Sequence, residues 1–396
     1  MAPFLHRSLG PDAPFPEVRV HHVRYVPEAK LVVHYDVGLD GRRYDAVAMI
    51  AAQPYLARRA EKPKNLALAR LVDGRSPAPM PLHYEPELGA LIHWYPLDLE
   101  LPALAEPPNR LVDELEAAGA SLGAVGGDPT TLGYKPRRRA VLRVGEHVLK
   151  IYARQHEFVA AIAGLQAGAS LRGVRTAELE GHLPARLVTV QTLLAGAHPA
   201  RPAAVAREVG ELLGELQTAW APVDALKALD VQAPQVGVST ALPSQQLALA
   251  EASATYVAAI LPPLRGQLDA LLRRLEAAIP SIDRLVLSHG DFTARQLLVR
   301  REGLAVIDLD AMRLAPAALD PATYAAYLVF GPDDLDKASE VLDELLAGHG
   351  GRPPGLSWYL STSILQQAGR PFRYFEEHWP DRVEGMVTAA EVALDR

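Results

Sequence analysis

Four side chains in one short stretch have the types and spacing to do chemistry: Asp291, Gln296, Asp308 and Asp310. They lie within Leu285–Asp310, which reads as three short apolar runs, Leu285–Leu287, Leu297–Val299 and Ala305–Ile307. His289-Gly290-Asp291 forms a tight polar loop after the first run. Arg301-Glu302-Gly303 is a hairpin turn joining the second and third. A hairpin brings Asp291 and Asp308 close together although they are distant in sequence. Carboxylates and an amide oxygen converging on one spot suit a hard cation, and Mg²⁺ favours oxygen ligands alongside substrate phosphates. Turn-forming aspartate is the plain alternative for Asp291 and Asp308.

The combination His289-Gly290-Asp291, four residues, Gln296, then Ile307-Asp308-Leu309-Asp310 resembles the aminoglycoside phosphotransferase and choline kinase-like family of small-molecule kinases. That family usually has Asn where this chain has Gln296. A branch that includes maltokinase and glucosamine kinase also carries Gln there, together with an extra N-terminal domain. The resemblance implies roles. Asp291 would accept or orient the substrate hydroxyl proton. Gln296 and Asp308 would hold Mg²⁺ on the phosphates of ATP. This fits phosphoryl transfer in general, where positioning and charge neutralisation supply most of the catalysis. Lys150, at the end of an apolar run, occupies the family's ATP lysine position, with Glu157 as the ion-pair partner that aims it. An ordinary strand lysine and a helix-dipole carboxylate are the plain alternatives. Backbone groups over Gln191–Leu194, Gln191 and Leu193 among them, would meet adenine at the hinge. No Gly-x-Gly-x-x-Gly precedes Lys150. His289 reads as a histidine that braces the loop. Asp320 either fixes the metal-loop neighbourhood or caps a helix over Pro321–Phe330; the cap is the preferred reading.

The implied fold is α+β: a bilobal protein-kinase-like architecture with an extra N-terminal α+β cap. Residues 1–105 would be the cap, 106–195 the kinase N-lobe and 196–396 a helical C-lobe. The acceptor implied is a small molecule, with a sugar or amino sugar first and an aminoglycoside or amino alcohol second. A catalytically silent nucleotide-binding protein is the rival class, motivated by Gln296 and the missing glycine-rich loop. The short segment from Asp310 to Asp320 leaves little room for a phosphorylatable activation loop, which favours a small-molecule kinase.

Composition agrees with these expectations. A chain of 396 residues needs more than one core. It has no cysteine, so disulfides, thiolate nucleophiles and Cys-based zinc sites are excluded. A net charge of −7 argues against general nucleic-acid binding. No apolar run approaches the ~18–20 residues that cross a membrane. The N-terminus lacks a signal-peptide pattern, so the expected location is the cytoplasm.

The elements that must position these residues can be sketched. Val18–Tyr25, Lys30–Val37 and Arg43–Ile50 are strand-like, and Pro54–Val72 is helical with Pro63 as a break. Leu56, Leu66, Leu68 and Leu71 are its apolar residues. Leu111–Leu122 and Glu157–Gln166 are helices, and Ala140–Val144 with His147–Tyr152 forms a hairpin. Gly126-Gly127 lies in a loop, and Val223–Pro243 is poorly periodic and reads as loop. Pro202–Trp220 carries Val205, Val209, Leu212, Leu213 and Leu216 at helical spacing. One echo recurs: Tyr25-Val26-Pro27 and Tyr134-Lys135-Pro136 both precede three residues and an apolar strand. A duplication, or the same turn chemistry used twice, would produce it. Arg137-Arg138-Arg139 reads as a solvated turn that could alternatively reach phosphate. Arg370–Trp379, rich in aromatics, could line a pocket, with helix packing the plainer reading.

Overall fold

The computed structural model describes residues 1–396 apart from 11, 52–54, 73, 121, 123–128, 221–222, 225–237 and 283. The Gly126-Gly127 loop and most of the loop expected over Val223–Pro243 lie outside the described residues. Two compact units emerge. The first comprises Met1–Phe158, Glu180–Thr192 and Phe372–Glu377; the second comprises Val159–Leu179, Leu193–Pro371 and His378–Arg396. The first is sheet-rich and the second helical, giving the α+β architecture expected. Among the described residues no helix is long and apolar enough to cross a membrane.

The first unit opens with helix α1 (Ala2–Leu9), then an antiparallel meander of β1 (Glu17–Val26), β2 (Lys30–Leu39) and β3 (Arg42–Ala51). Asp40-Gly41 turns β2 into β3 with both φ angles positive, +48° and +74°. Such a two-residue turn matches the twist of the flanking strands. The helical stretch that follows is broken at Pro63, as its ring requires: α2 covers Tyr55–Ala60 and α3 Pro63–Leu71. Of the apolar residues of this stretch, Leu56 is buried, whereas Leu66 and Leu71 are exposed. Strands β4 (Leu82–Glu85) and β5 (Ala90–Trp94) complete a sheet ordered β1-β2-β3-β5-β4. Helix α4 (Pro108–Ala117) leads to the second sheet, made of β6 (Thr130–Lys135), β7 (Arg139–Val144), β8 (His147–Tyr152), β10 (Leu179–Leu183) and β11 (Val188–Thr192). The helix α5 (Gln155–Ala169) and the short strand β9 (Arg175–Thr176) precede its last two strands. Its order is β10-β11-β8-β7-β6.

The two sheets therefore follow one strand plan: a meander, an intervening helix, and a hairpin whose second strand pairs with the third strand of the meander. The Tyr-x-Pro echo lies at the same turn of each. Val26 pairs with Lys30 across Pro27-Glu28-Ala29, and Lys135 with Arg139 across Pro136-Arg137-Arg138. In both, the residue after the proline takes a left-handed φ, +59° at Glu28 and +62° at Arg137. Arg137 is not solvated as its charge suggests. Its amide donates to Asp98 Oδ2 (2.7 Å) and its guanidinium to Glu100 Oε1 (3.1 Å). Asp98 is fully buried and also accepts from the Tyr134 hydroxyl (2.9 Å).

Burial lowers four histidines of the first sheet, His21, His22, His83 and His93, which favours their neutral form. Burial, then Arg373, pushes His22 down to about 4. A histidine depressed in the fold binds its proton more readily when unfolded, so stability is fully present above about pH 6.5 and is lost as pH falls towards 4. Thermal melting is expected to hold steady from pH 8 to about 6.5, then decline through pH 5, above the range in which ordinary carboxylates titrate. A melting temperature that is flat or rising on acidification across that interval would contradict this reading.

The second unit is built on α6 (Ala206–Thr218), α7 (Pro243–Ile260), α8 (Arg265–Ala277), α9 (Leu319–Ala326), α10 (Asp334–His349), α11 (Leu356–Gln367), α12 (Arg370–Arg373) and α13 (Trp379–Leu394). Helix α6 buries Val209, Leu212, Leu213 and Leu216, the i, i+3, i+4, i+7 stripe visible in the sequence. Two small sheets carry the polar loops: β12 (Val223–Asp224), β13 (Ser239–Thr240), β14 (Arg284–Ser288) and β17 (Arg313–Ala315), in the order β12-β14-β17-β13, and β15 (Leu297–Arg300) with β16 (Gly303–Val306) and β9. The flanks of the expected Val223–Pro243 loop thus pair as strands, because each supplies an edge to β14 or β17.

Candidate active site

Strand β14 ends at Ser288, and the chain enters His289-Gly290-Asp291. This loop is fixed from below by Asp320, which is fully buried. One carboxylate oxygen accepts the His289 amide (2.7 Å), the other the Gly290 amide (2.9 Å). Helix α9 starts at Leu319 after Ala318, so Asp320 lies inside its first turn and makes no cap. The cap reading is corrected on this point: the carboxylate serves the loop. Burial pushes the Asp320 carboxyl up, while His289, the two amides and Arg313 pull it back.

His289 is buried and braces the loop. Its Nε2–H donates to Ile307 O (3.0 Å), leaving Nδ1 to accept the Asp291 amide (3.4 Å). One tautomer satisfies both. Gly290 has φ +82°, and a Cβ there would collide with Ala311 O. The glycine is therefore required both by conformation and by close approach. Asp291 itself is exposed.

Gln296 and Asp308 are brought together by the β15–β16 hairpin. Leu297 pairs with Val306, and the Ile307 amide donates to Gln296 O (2.8 Å), so Asp308 follows directly beyond the strand. The two-residue turn is Arg301-Glu302, with Arg300 paired to Gly303. Thr293 donates its hydroxyl to Gln296 Oε1, turning the amide oxygen within the loop. Asp308 adopts a left-handed φ of +63°. Leu309, buried between Asp308 and Asp310, packs into a notch on α5 where a Cβ at Gly164 would strike Leu309 O. Among the described residues no group of three or more His, Cys, Asp or Glu converges as a metal cluster. An amide oxygen and a carboxylate on adjoining backbone instead fit Mg²⁺, which needs only one or two protein oxygens when phosphates supply the rest.

In the second sheet Lys150 is buried on β8, paired with Val141 on one side and Thr189 on the other. Glu157 stands in the first turn of α5, its Oε1 3.8 Å from Arg138 Nη2. Gln191 is buried on β11, and its Oε1 has no partner among the described residues. Leu193 follows the end of β11. Counted from the shared turn, Met49 of the first sheet holds the place that Lys150 holds in the second. Only the second copy of the strand plan offers a cation there. Of the C-terminal aromatics, Trp358 is buried and donates to Leu275 O (2.8 Å), whereas Tyr374 and Phe375 are exposed. Arg370 is buried over the rings of Tyr327 and Phe330.

The chain belongs to the phosphotransferase enzyme family, whose model matches residues 130–359. A candidate aminoglycoside phosphotransferase from Ralstonia eutropha is 15% identical, with 73% of this chain and 97% of that one covered and a TM-score of 0.51. A choline/ethanolamine kinase family protein from Mesorhizobium loti is also 15% identical, over 73% and 95% of the chains, with a TM-score of 0.48. A macrolide 2'-phosphotransferase from Brachybacterium faecium is 21% identical, over 70% and 98%, with a TM-score of 0.45. The first of these likenesses establishes the shared kinase-like fold. No curated protein matches the sequence. The chain is a small-molecule phosphotransferase with a hydroxyl acceptor, ATP as donor and Mg²⁺ as the usual cofactor of such kinases.

Proposed function

We propose that the acceptor is a sugar or amino sugar and that Asp291 is the group that receives its hydroxyl proton. The observation that carries the reading is the Asp291 loop: an exposed carboxylate on backbone pinned at the two preceding amides by a buried one. Transfer requires a nucleophile held in line with the phosphoryl group, so a rigid mount for the proton acceptor is the expected machinery. The acceptor O–H bond breaks as the new O–P bond forms, the proton passes to Asp291, and ADP leaves. Lys150 contacts phosphate oxygens, with Glu157 near it, and backbone around Gln191 and Leu193 meets adenine. Gln296 and Asp308 hold Mg²⁺, which when bound neutralises charge on the phosphates. The sugar reading is supported by Gln296 and by the additional N-terminal sheet, both of which resemble the maltokinase and glucosamine kinase branch. In this reading residues 1–105 form the cap, 106–195 the nucleotide lobe and 196–396 the acceptor lobe.

ADP release with ATP and Mg²⁺ across sugars, amino sugars, aminoglycosides and amino alcohols tests it. Turnover is expected with the first two groups and at least tenfold lower kcat/KM with the others. Preference for aminoglycosides or amino alcohols would overturn the sugar reading alone. Nucleotide binding without turnover on any acceptor would favour a silent binding protein.

A further inference from the structure

Arg313 lies outside the motifs that mark the site in the sequence. It opens β17 and pairs across the sheet with Ser288, the last strand residue before the His289-Gly290-Asp291 loop. Its Nε donates to Ala311 O (2.8 Å), which folds the side chain back against the loop. A Cβ built on Gly290 would lie 2.6 Å from that Nε. The missing side chain at 290 is therefore the space the guanidinium occupies. Asp320 and Asp291 are the two carboxylates whose charges act on it, against the cost of its burial. It is a fixed cation whose charge acts on the carboxylate that anchors the loop and on the one that the loop presents.

We infer that Arg313 is a positioning residue for phosphoryl transfer: standing behind Gly290, its charge holds Asp291 in place and offsets the negative charge that ATP brings towards that carboxylate. The inference rests on the reading of Asp291 given above. A cation in this half-buried setting is screened less than one in open water, so its field at Asp291 is felt in the transition state. Lysine would preserve the charge while losing the fork that Ala311 holds. An uncharged side chain of similar length would preserve packing alone.

The test separates charge from packing. Arg313→Met is expected to lower kcat about 30-fold with the KM for ATP within about threefold of wild type, and Arg313→Lys to recover most of the loss. Added guanidinium ion is expected to rescue Arg313→Ala and not Arg313→Met, whose side chain fills the space. Combining Arg313→Met with Asp291→Asn is expected to cost no more than Asp291→Asn alone, because the two act as one unit. Wild-type kcat in Arg313→Met would overturn the inference. So would a loss that tracks the melting temperature and is restored by neither lysine nor guanidinium. Asp291→Asn in the wild-type background distinguishes the two layers. If it leaves turnover intact, the reading of Asp291 falls and takes this inference with it. If it abolishes turnover while Arg313→Met does nothing, only the inference about Arg313 falls.

Discussion

Asp291→Asn is expected to reduce turnover by about 10²–10⁴-fold, the range in which a positioned proton acceptor contributes. ATP binding should stay within a few-fold of wild type. The substitution preserves shape: the loop is set by Asp320 beneath the His289 and Gly290 amides and by His289 Nδ1 beneath the Asp291 amide, and none of these involves the Asp291 side chain. What changes is the charge and the capacity to take a proton. A loss in kcat at constant nucleotide affinity therefore reports the transition state rather than assembly of the site. The measurement is steady-state ADP release beside nucleotide titration of the same preparations. Equal loss of ATP binding would mean that Asp291 acts in the nucleotide site. Unchanged kcat would remove it from the chemistry.

How much of this was legible in the sequence depends on how local each feature is. The His289–Asp310 motif could be read because a loop, a hairpin and a strand end follow one another along the chain. The β15–β16 register then brings Gln296 to Asp308 with little help from the rest of the fold. Arg313 and Asp320 could not be assigned in the same way. Their roles depend on β17 pairing with β14 and on α9 starting beneath the loop, which are tertiary facts. Asp320 sits at a helix start, where aspartate usually caps, and burial beneath two loop amides overrode that preference. The echo at Tyr25 and Tyr134 is a comparable half-signal. The turn repeats because it needs a residue at positive φ after proline. The paired strands share no side-chain pattern that would have revealed the common plan, since strand pairing uses backbone and each face answers to its own neighbours. Only with the registers known does Met49 fall at the position equivalent to Lys150.

Asp320→Ala is expected to be the most destabilising single change at the site. The carboxylate is fully buried, and its removal leaves the His289 and Gly290 amides without their acceptor beneath the loop. A buried donor left unsatisfied costs about 1–3 kcal/mol, so two amides predict a loss of about 2–6 kcal/mol in denaturant unfolding. Asp320→Asn retains one acceptor oxygen and turns an NH₂ towards the other amide. It should keep part of the stability while leaving the loop mis-set, so kcat falls further than stability does. A helix cap predicts something different: about 1 kcal/mol lost on truncation to alanine, near-normal turnover, and local fraying of Leu319–Ala326. Unfolding free energy and kcat on the two variants therefore decide between the roles. A small loss with full activity would return Asp320 to the helix. A large loss in Asp320→Ala, with activity lost in both, would establish it as the anchor on which the geometry of Asp291 depends.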